Sequence, residues 1–448
     1  MNIKLPDYIV SVIEKLQKAQ KEAYVVGGCV RDIIMGNEPH DYDICTSATP
    51  TEIKEIFSDV KCMDTGIKHG TVAIIVDNNQ IEITTFRAES QYSDGRHPDS
   101  VSFSKEISDD LKRRDFKINA IAYSPKSGLV DPFGGIADIS GKVIQAIGDP
   151  KERFSEDYLR ILRAIRFSST LSFDIEEKTA SAIFELKDKL SLISQERISE
   201  ELKKAVCGDN FEEVFIKYID VFSVIIPELI PCVRYNQNNP HHDFCLDTHL
   251  AKTVAASPKN YISRLAALFH DIGKPYTASQ DEHGISHYYS HAAVSCEITQ
   301  KILKRLRFSN NDIKEITTLI RYHDGVIDET EKAVLRRINQ LGESLFFDLV
   351  SLQRADRASQ KKSQNLKNEQ SDRLCEIAKE LISKKQCFSL NRLSVNGNDM
   401  ISIGLSGKQI GKALNCLLND VIDGKVENNR DTLLKYCQAP SFFKKIIS

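Results

Sequence analysis

Asp41 and Asp43 stand one residue apart in the stretch HDYDICT. On a strand, residues i and i+2 point to the same face. A strand here would therefore project two carboxylates side by side, where they repel unless a cation lies between them. Hard oxygen ligands suit Mg2+, which takes one or two protein carboxylates and keeps its other positions for water and phosphate oxygens. Upstream, Gly27 and Gly28 close a predicted strand and let the backbone approach a bulky anion. A helix predicted to begin near Val30 aims its N-terminus and Arg31 in the same direction. Glu82, in IEITTF, offers a third carboxylate from a neighbouring strand. Carboxylates for Mg2+ beside an anion site are the equipment of phosphoryl or nucleotidyl transfer. A D-x-D alone is more often an exposed polar strand edge; the preceding G-G-x-x-R-D sharpens the reading.

These residues need a scaffold. YVVGG, DYDICTSA, GTVAIIV and IEITTF read as strands. Thr49-Pro50-Thr51-Glu52 offers a capping box with proline at the first helical position, so a helix should start there. Turn residues cluster at VDPFGGIADI. Asp149-Pro150-Lys151-Glu152 repeats the helix-start signature, and beyond it the 3.6-residue periodicity predicts mostly helix. RYNQNNPHHDF is a breaker-rich link into a histidine-bearing segment, and RASQKKSQNLKNEQ leads into a C-terminal unit. No internal repeat or low-complexity tract is present.

The 448 residues suggest roughly three domains. With 41% hydrophobic and 27% charged residues the chain can bury cores and is not disordered. No apolar run approaches the ~20 residues that span a bilayer, and the N-terminus lacks a signal-peptide core, so no membrane partner is expected. Eleven cysteines without a C-x-x-C pair argue for reduced thiols and a cytoplasmic setting. A net charge of −3 gives no general sign of nucleic-acid binding, although local clusters suffice for phosphates. Lys301, Lys304, Arg305 and Arg307 form one such cluster and Lys361, Lys362 and Lys367 another; taken alone, each reads as a solvated face.

GGCVRDIIMG followed by HDYDICT resembles the motif of the polymerase-beta nucleotidyltransferase superfamily, in the form found in class II CCA-adding enzymes and bacterial poly(A) polymerases. RRDFKINA (Arg113–Ala120), DPFGGIADI, EDYLRILRAIRF and ERISEEL (Glu196–Leu202) are similar to that family's later motifs, in the same order. The resemblance implies that Asp41 and Asp43 hold Mg2+, activating an RNA 3′-hydroxyl and stabilising the leaving pyrophosphate. It implies also that Arg114 touches the nucleotide. The fourth motif has a physical logic of its own. Asp157 and Arg160, three apart on a predicted helix, share a face. A carboxylate accepts from the exocyclic amine of cytosine or adenine, while a guanidinium donates to the ring nitrogen beside it. Guanine and uracil present the reverse pattern, and such buried mismatches discriminate by factors of about 10⁴. Arg163 and Arg166 continue the spacing toward phosphates or the RNA end. RAESQYSDGRHPDSVSF is long for a simple connection; in the family a flexible loop here is needed for the switch to A. TGIKHGTVAII resembles the CCA-adding version of its strand pair. The implied substrates are tRNA, CTP and ATP, with A addition alone, or poly(A) synthesis, as the alternative.

The histidines carry a second pattern. LAALFHDIGKP, with His270 and Asp271, resembles the helix-borne pair of the HD phosphohydrolase superfamily. His249, His291 (or His287), His323 and Asp356 stand where that family places its other ligands. Imidazole and carboxylate suit Mn, Fe, Ni or Zn, and a bridging Asp271 would let two metals activate water for phosphoester hydrolysis. Some bacterial CCA-adding enzymes carry such a domain, with phosphatase or 2′,3′-cyclic phosphodiesterase activity.

The expected fold is α+β. A polymerase-beta-type nucleotidyltransferase head with a mixed or antiparallel sheet and helices (1–145) precedes an all-α neck and body (146–235), an HD domain (236–362) and a C-terminal helical tRNA-binding unit (363–448). The rival of another class is an HD phosphohydrolase with a decayed head, against which Asp41, Asp43, Arg114, Asp157 and Arg160 all argue.

Overall fold

The computed structural model describes residues 3–66, 70–89, 101–240, 243–360, 366–384 and 386–447. It divides into two compact units, residues 1–227 and 228–448.

After the helix Asp7–Lys18, the first unit builds a seven-stranded mixed sheet. Its strands are β1 (Ala23–Val26), β2 (Asp43–Thr46), β3 (Lys61–Gly66), β4 (Thr71–Val76) and β5 (Asn79–Thr85). A separate antiparallel pair, β6 (Arg87–Glu89) and β7 (Val101–Phe103), comes before the last two sheet strands, β8 (Ala122–Ser124) and β9 (Gly128–Val130). The order is β3-β4-β5-β2-β1-β8-β9. Every neighbouring pair is antiparallel except β2 and β5. The crossover between these two carries the helix Pro50–Ile56. Its start is the expected capping box: Thr49 accepts from the Glu52 amide and Glu52 accepts from the Thr49 amide, with Pro50 first in the helix. Val25, Ile44, Ile74 and Ile83 are fully buried within the sheet's core.

Beyond the sheet the chain is predominantly helical, as its periodicity predicts. Asp149 caps the helix Pro150–Glu156 by accepting from the Lys151 and Glu152 amides. The helix Leu159–Leu171 packs along Gln195–Val206. Gly208 permits a close approach there, since a Cβ on it would lie 2.1 Å from the Ser169 hydroxyl.

In the second unit, the helices Leu246–Ala256, Tyr261–Phe269, Asn310–Tyr322 and Glu343–Ala358 pack on one another, with His291–Arg305 alongside Asn310–Tyr322. Four shorter or longer helices from Leu366 to Ile447 follow, together with Gly397–Ser402. Among the described residues no helix is long and apolar enough to cross a membrane. All eleven cysteines are free thiols.

Candidate active cleft and metal centre

Burial alternates along β5, with Ile81 and Ile83 inward and Glu82 outward. Asp43 pairs with Glu82 in the parallel register, so the two carboxylates emerge side by side. They line a cleft of about 560 Å³ whose other walls carry Gly28 and seven arginines: Arg31, Arg87, Arg113, Arg114, Arg160, Arg163 and Arg166. Enclosure by these walls raises the Asp43 pKa, repulsion from Asp41 and Glu82 adds to the rise, and Arg114 opposes it. Asp41 itself lies in the loop just ahead of β2, which starts at Asp43. The strand alternation expected for the pair therefore does not apply, although Asp41 is near enough to repel its neighbour.

The helix after β1 starts at Gly28, two residues before the expected position, and Gly27 caps it at φ 83°. A Cβ on Gly27 would lie 2.7 Å from Arg114 Nη1. The positive φ favours glycine here, and a side chain would also push the Arg114 guanidinium from its place. Arg31 is buried and turned inward. It donates to Asp32 Oδ1 from Nε (2.9 Å) and Nη2 (2.7 Å), and to Asn119 Oδ1 from Nη1 (2.7 Å). Arg114 is steadied by Asp110, 3.3 Å from its Nη2, and its buried Nε has no hydrogen-bond partner.

Asp157 departs from the sequence expectation. It stands in extended backbone (φ −152°, ψ 103°) after the helix Pro150–Glu156 and before Leu159–Leu171, so it does not share a helix face with Arg160. Its Oδ1 instead accepts from the Leu159 amide at 3.1 Å, and the Arg160 amide donates to the Asp157 carbonyl at 3.0 Å. This junction still sets both side chains on the cleft. The Arg160 guanidinium is pinned by Glu156, by the Arg153 carbonyl at 2.8 Å and by the Arg113 carbonyl at 3.1 Å. Arg163 donates to Asp115 Oδ2 at 2.7 Å and Arg166 to Glu201 Oε2 at 2.6 Å. The Phe167 ring gathers three guanidinium groups, Arg31 at 5.2 Å, Arg163 at 5.4 Å and Arg166 at 3.8 Å.

Acids on a parallel strand pair facing an arginine-lined helix define the head of a nucleotidyltransferase. Residues 23–145 match the family model for the poly A polymerase head domain, and 172–231 that for the probable RNA and SrmB-binding site of polymerase A. Residues 279–437 match a model for a putative tRNA nucleotidyltransferase domain 2. A CCA-adding enzyme of Lactobacillus helveticus is 33% identical across 97% of this chain and 98% of its own length. Another, from Enterococcus faecalis, is 32% identical across 95% and 94%. The crystal structure of the Bacillus stearothermophilus CCA-adding enzyme in complex with CTP superposes with a TM-score of 0.71 at 25% identity, covering 98% of both chains. The chain belongs to the family of CCA-adding enzymes.

The second unit assembles the histidines. His249 and His270 approach Asp271 Oδ2 at 3.3 and 3.2 Å and Asp356 Oδ1 at 3.1 and 3.6 Å. His291 and His323 approach the other Asp271 oxygen, Oδ1, at 3.2 and 3.7 Å. All these contacts use Nε2. Each ring's Nδ1 faces a backbone carbonyl: Ser359 for His249, Ala267 for His270, Tyr288 for His291 and Ile320 for His323. Protons on Nδ1 leave the Nε2 lone pairs converging, and two such pairs face each other at 3.3 and 3.2 Å. The buried Asp271 Oδ1 accepts no well-formed hydrogen bond. Such a donor set fits two metal ions sharing Asp271. His287 lies apart, 3.0 Å from Asp281 Oδ2.

Several residues escaped sequence reasoning. Arg197, Glu201, Asp115 and Asn119 lie inside quoted motifs, yet only the fold shows what they hold. Lys274, 2.6 Å from Asp271 Oδ2, was visible as the end of HDIGK. The RAESQYSDGRHPDSVSF loop (in part), Lys68 and His69 of TGIKHG, His241, His242, Lys361 and Lys362 lie outside the described residues.

Proposed function

We propose that this chain adds C, C and A to tRNA 3′ ends, using CTP and ATP and releasing pyrophosphate. The observation that carries it is the single cleft in which Asp43 and Glu82 face Asp157 and Arg160. Asp41, Asp43 and Glu82 would hold Mg2+, which when bound supplies Lewis-acid stabilisation of phosphate charge. Arg31 and Arg114 line the way to the triphosphate, and Gly28 keeps that approach open. Asp157 accepts from the amine of cytosine or adenine while Arg160 donates to the adjacent ring nitrogen; Arg163 and Arg166 border the same space. Their partners leave these groups little rotational freedom, so selection rests on preorganised polar groups. The domains follow: head 1–145, neck and body 146–235, metal-bearing unit 236–362, and C-terminal helices 363–448 that grip tRNA through shape and phosphates. Purified protein incubated with tRNA ending at the discriminator base, and with CTP or ATP singly, tests this. CTP incorporation is expected; incorporation of ATP alone would establish the A-adding or poly(A) reading instead.

A second activity is favoured by the convergence of four imidazoles on two carboxylates. His249, His270, Asp271 and Asp356 would hold one transition metal, and Asp271, His291 and His323 a second; such a pair supplies a water nucleophile at neutral pH. A phosphatase or 2′,3′-cyclic phosphodiesterase fits this set, and would clear blocked RNA 3′ ends before extension. Equal hydrolysis of such ends by wild type and His270→Ala/Asp271→Ala, with metals added, would sink this reading.

A further inference from the structure

Tyr289 borders the same cavity of about 310 Å³ as Asp271, His291, His323 and Asp356, yet the residue is 75% exposed. Its neighbours are otherwise engaged. Tyr288 bonds through its hydroxyl to the Gln237 carbonyl and carries Lys274 over its ring at 5.4 Å. Ser290, not a glycine, adopts the left-handed region at φ 64°. A strained backbone of this kind persists where its surroundings impose it, and such positions cluster at ligand sites. The kink separates Tyr289, facing out, from His291, facing the imidazole cluster. Behind Tyr289 lies His287, its ring within 10° of parallel and 5.7 Å away between centroids. His287 is fixed in turn: its Nε2 is 3.0 Å from Asp281 Oδ2, while Asp281 Oδ1 accepts the amides of His283 and Ile285 at 2.9 and 3.0 Å. The Ser279–Gln280 and Ser286–His287 strands hold the hairpin, and Asn239 donates to the Ser286 carbonyl at 2.9 Å.

We propose that Tyr289, backed by His287, is a base-stacking platform, so that the second site takes nucleotides and RNA 3′ ends whose terminal phosphoester reaches the imidazole cluster. This rests on the phosphohydrolase reading above. An exposed π-face stacked on a hydrogen-bonded imidazole can take any base, because every base has a face to stack. It suits a site that meets many RNA ends and has no need to read their sequence.

The test uses full-length protein supplied with Mn2+, with saturating CTP present to occupy the head. Binding of adenosine 3′-monophosphate is measured by calorimetry. Hydrolysis of adenosine 2′,3′-cyclic monophosphate is compared with that of glycerol 1,2-cyclic phosphate, which has the same cyclic ester and no base. Tyr289→Ala should weaken nucleotide binding about tenfold, the scale of one base–aromatic stack. It should also lower the preference for the nucleotide ester over the glycerol ester by about the same factor, and Tyr289→Phe should restore both. Unchanged nucleotide binding in Tyr289→Ala, or equal losses with both esters, would overturn the platform. Should wild type hydrolyse neither ester while binding still depends on Tyr289, the phosphohydrolase reading falls and the platform stands.

Discussion

Arg197 holds Asp157 through both ends of its guanidinium, Nη1 to Oδ1 at 3.1 Å and Nη2 to Oδ2 at 2.6 Å, from a helix 40 residues further along the chain. A bidentate pair fixes the plane of a carboxylate as well as its place. Arg197→Ala should therefore lower kcat/KM for CTP and ATP by about 10–100-fold, the range of one charged hydrogen-bonded contact, and relax discrimination against UTP and GTP. Arg197→Lys should recover little, because an ammonium cannot reproduce the fork. Single-nucleotide incorporation with each of the four triphosphates checks both points.

Replacing Asp43 or Glu82 by alanine should reduce CTP incorporation by at least about a hundredfold, as expected for loss of a group that organises transition-state charge. Both variants should keep the wild-type far-ultraviolet circular dichroism, since both side chains are exposed at the cleft. Retained incorporation would move the catalytic acids elsewhere.

Asp115 gives a pH prediction. Burial pushes its pKa up, but Arg163 and Arg160 outweigh that and hold it below the usual carboxylate range. The unfolded chain then binds a proton near pH 3.9 that the folded chain refuses. The stabilisation is complete above that pH and is lost as pH falls below it. Asp115→Asn should cost about 2 kcal/mol at pH 7, the scale of a charged hydrogen bond. The gap from wild type in urea unfolding should narrow below about pH 4.

Metal content separates the two halves of the histidine cluster. Wild type dialysed against Mn2+ or Zn2+ should retain two ions per chain at this centre, His323→Ala one, and Asp271→Asn neither, because Asp271 faces both halves. Elemental analysis of the dialysed proteins decides it. Wild-type stoichiometry in Asp271→Asn would remove Asp271 from the site.

How much of this was legible in the sequence varies with the range of the interaction. The Thr49 capping box and the Asp149 helix start are local, and both formed as read. The parallel pairing that sets Asp43 beside Glu82 requires a crossover whose register no local pattern fixes. The three-residue spacing of Asp157 and Arg160 reads as one helix face, but the Asp157 carboxylate accepts from the Leu159 amide two residues on, a local alternative to helix that short acidic side chains readily take. Arg197 is invisible as a site residue for another reason: it reaches Asp157 from a helix 40 residues on, while the Phe167 ring gathers Arg163 and Arg166 from its own helix and only Arg31 from far along the chain. The histidines were identifiable in order, but the Nδ1–carbonyl contacts that aim them depend on the fold.

The register of β2 and β5 has a mechanical consequence. The parallel ladder holds Asp43 opposite Glu82 as it holds Ile44 opposite Ile83, so two like charges cannot drift apart when nothing neutralises them. The sheet acts as a cocked latch: its central seam opposes a repulsion that a divalent cation would discharge. A cation bound there should then stabilise the folded head by mass action before any nucleotide arrives.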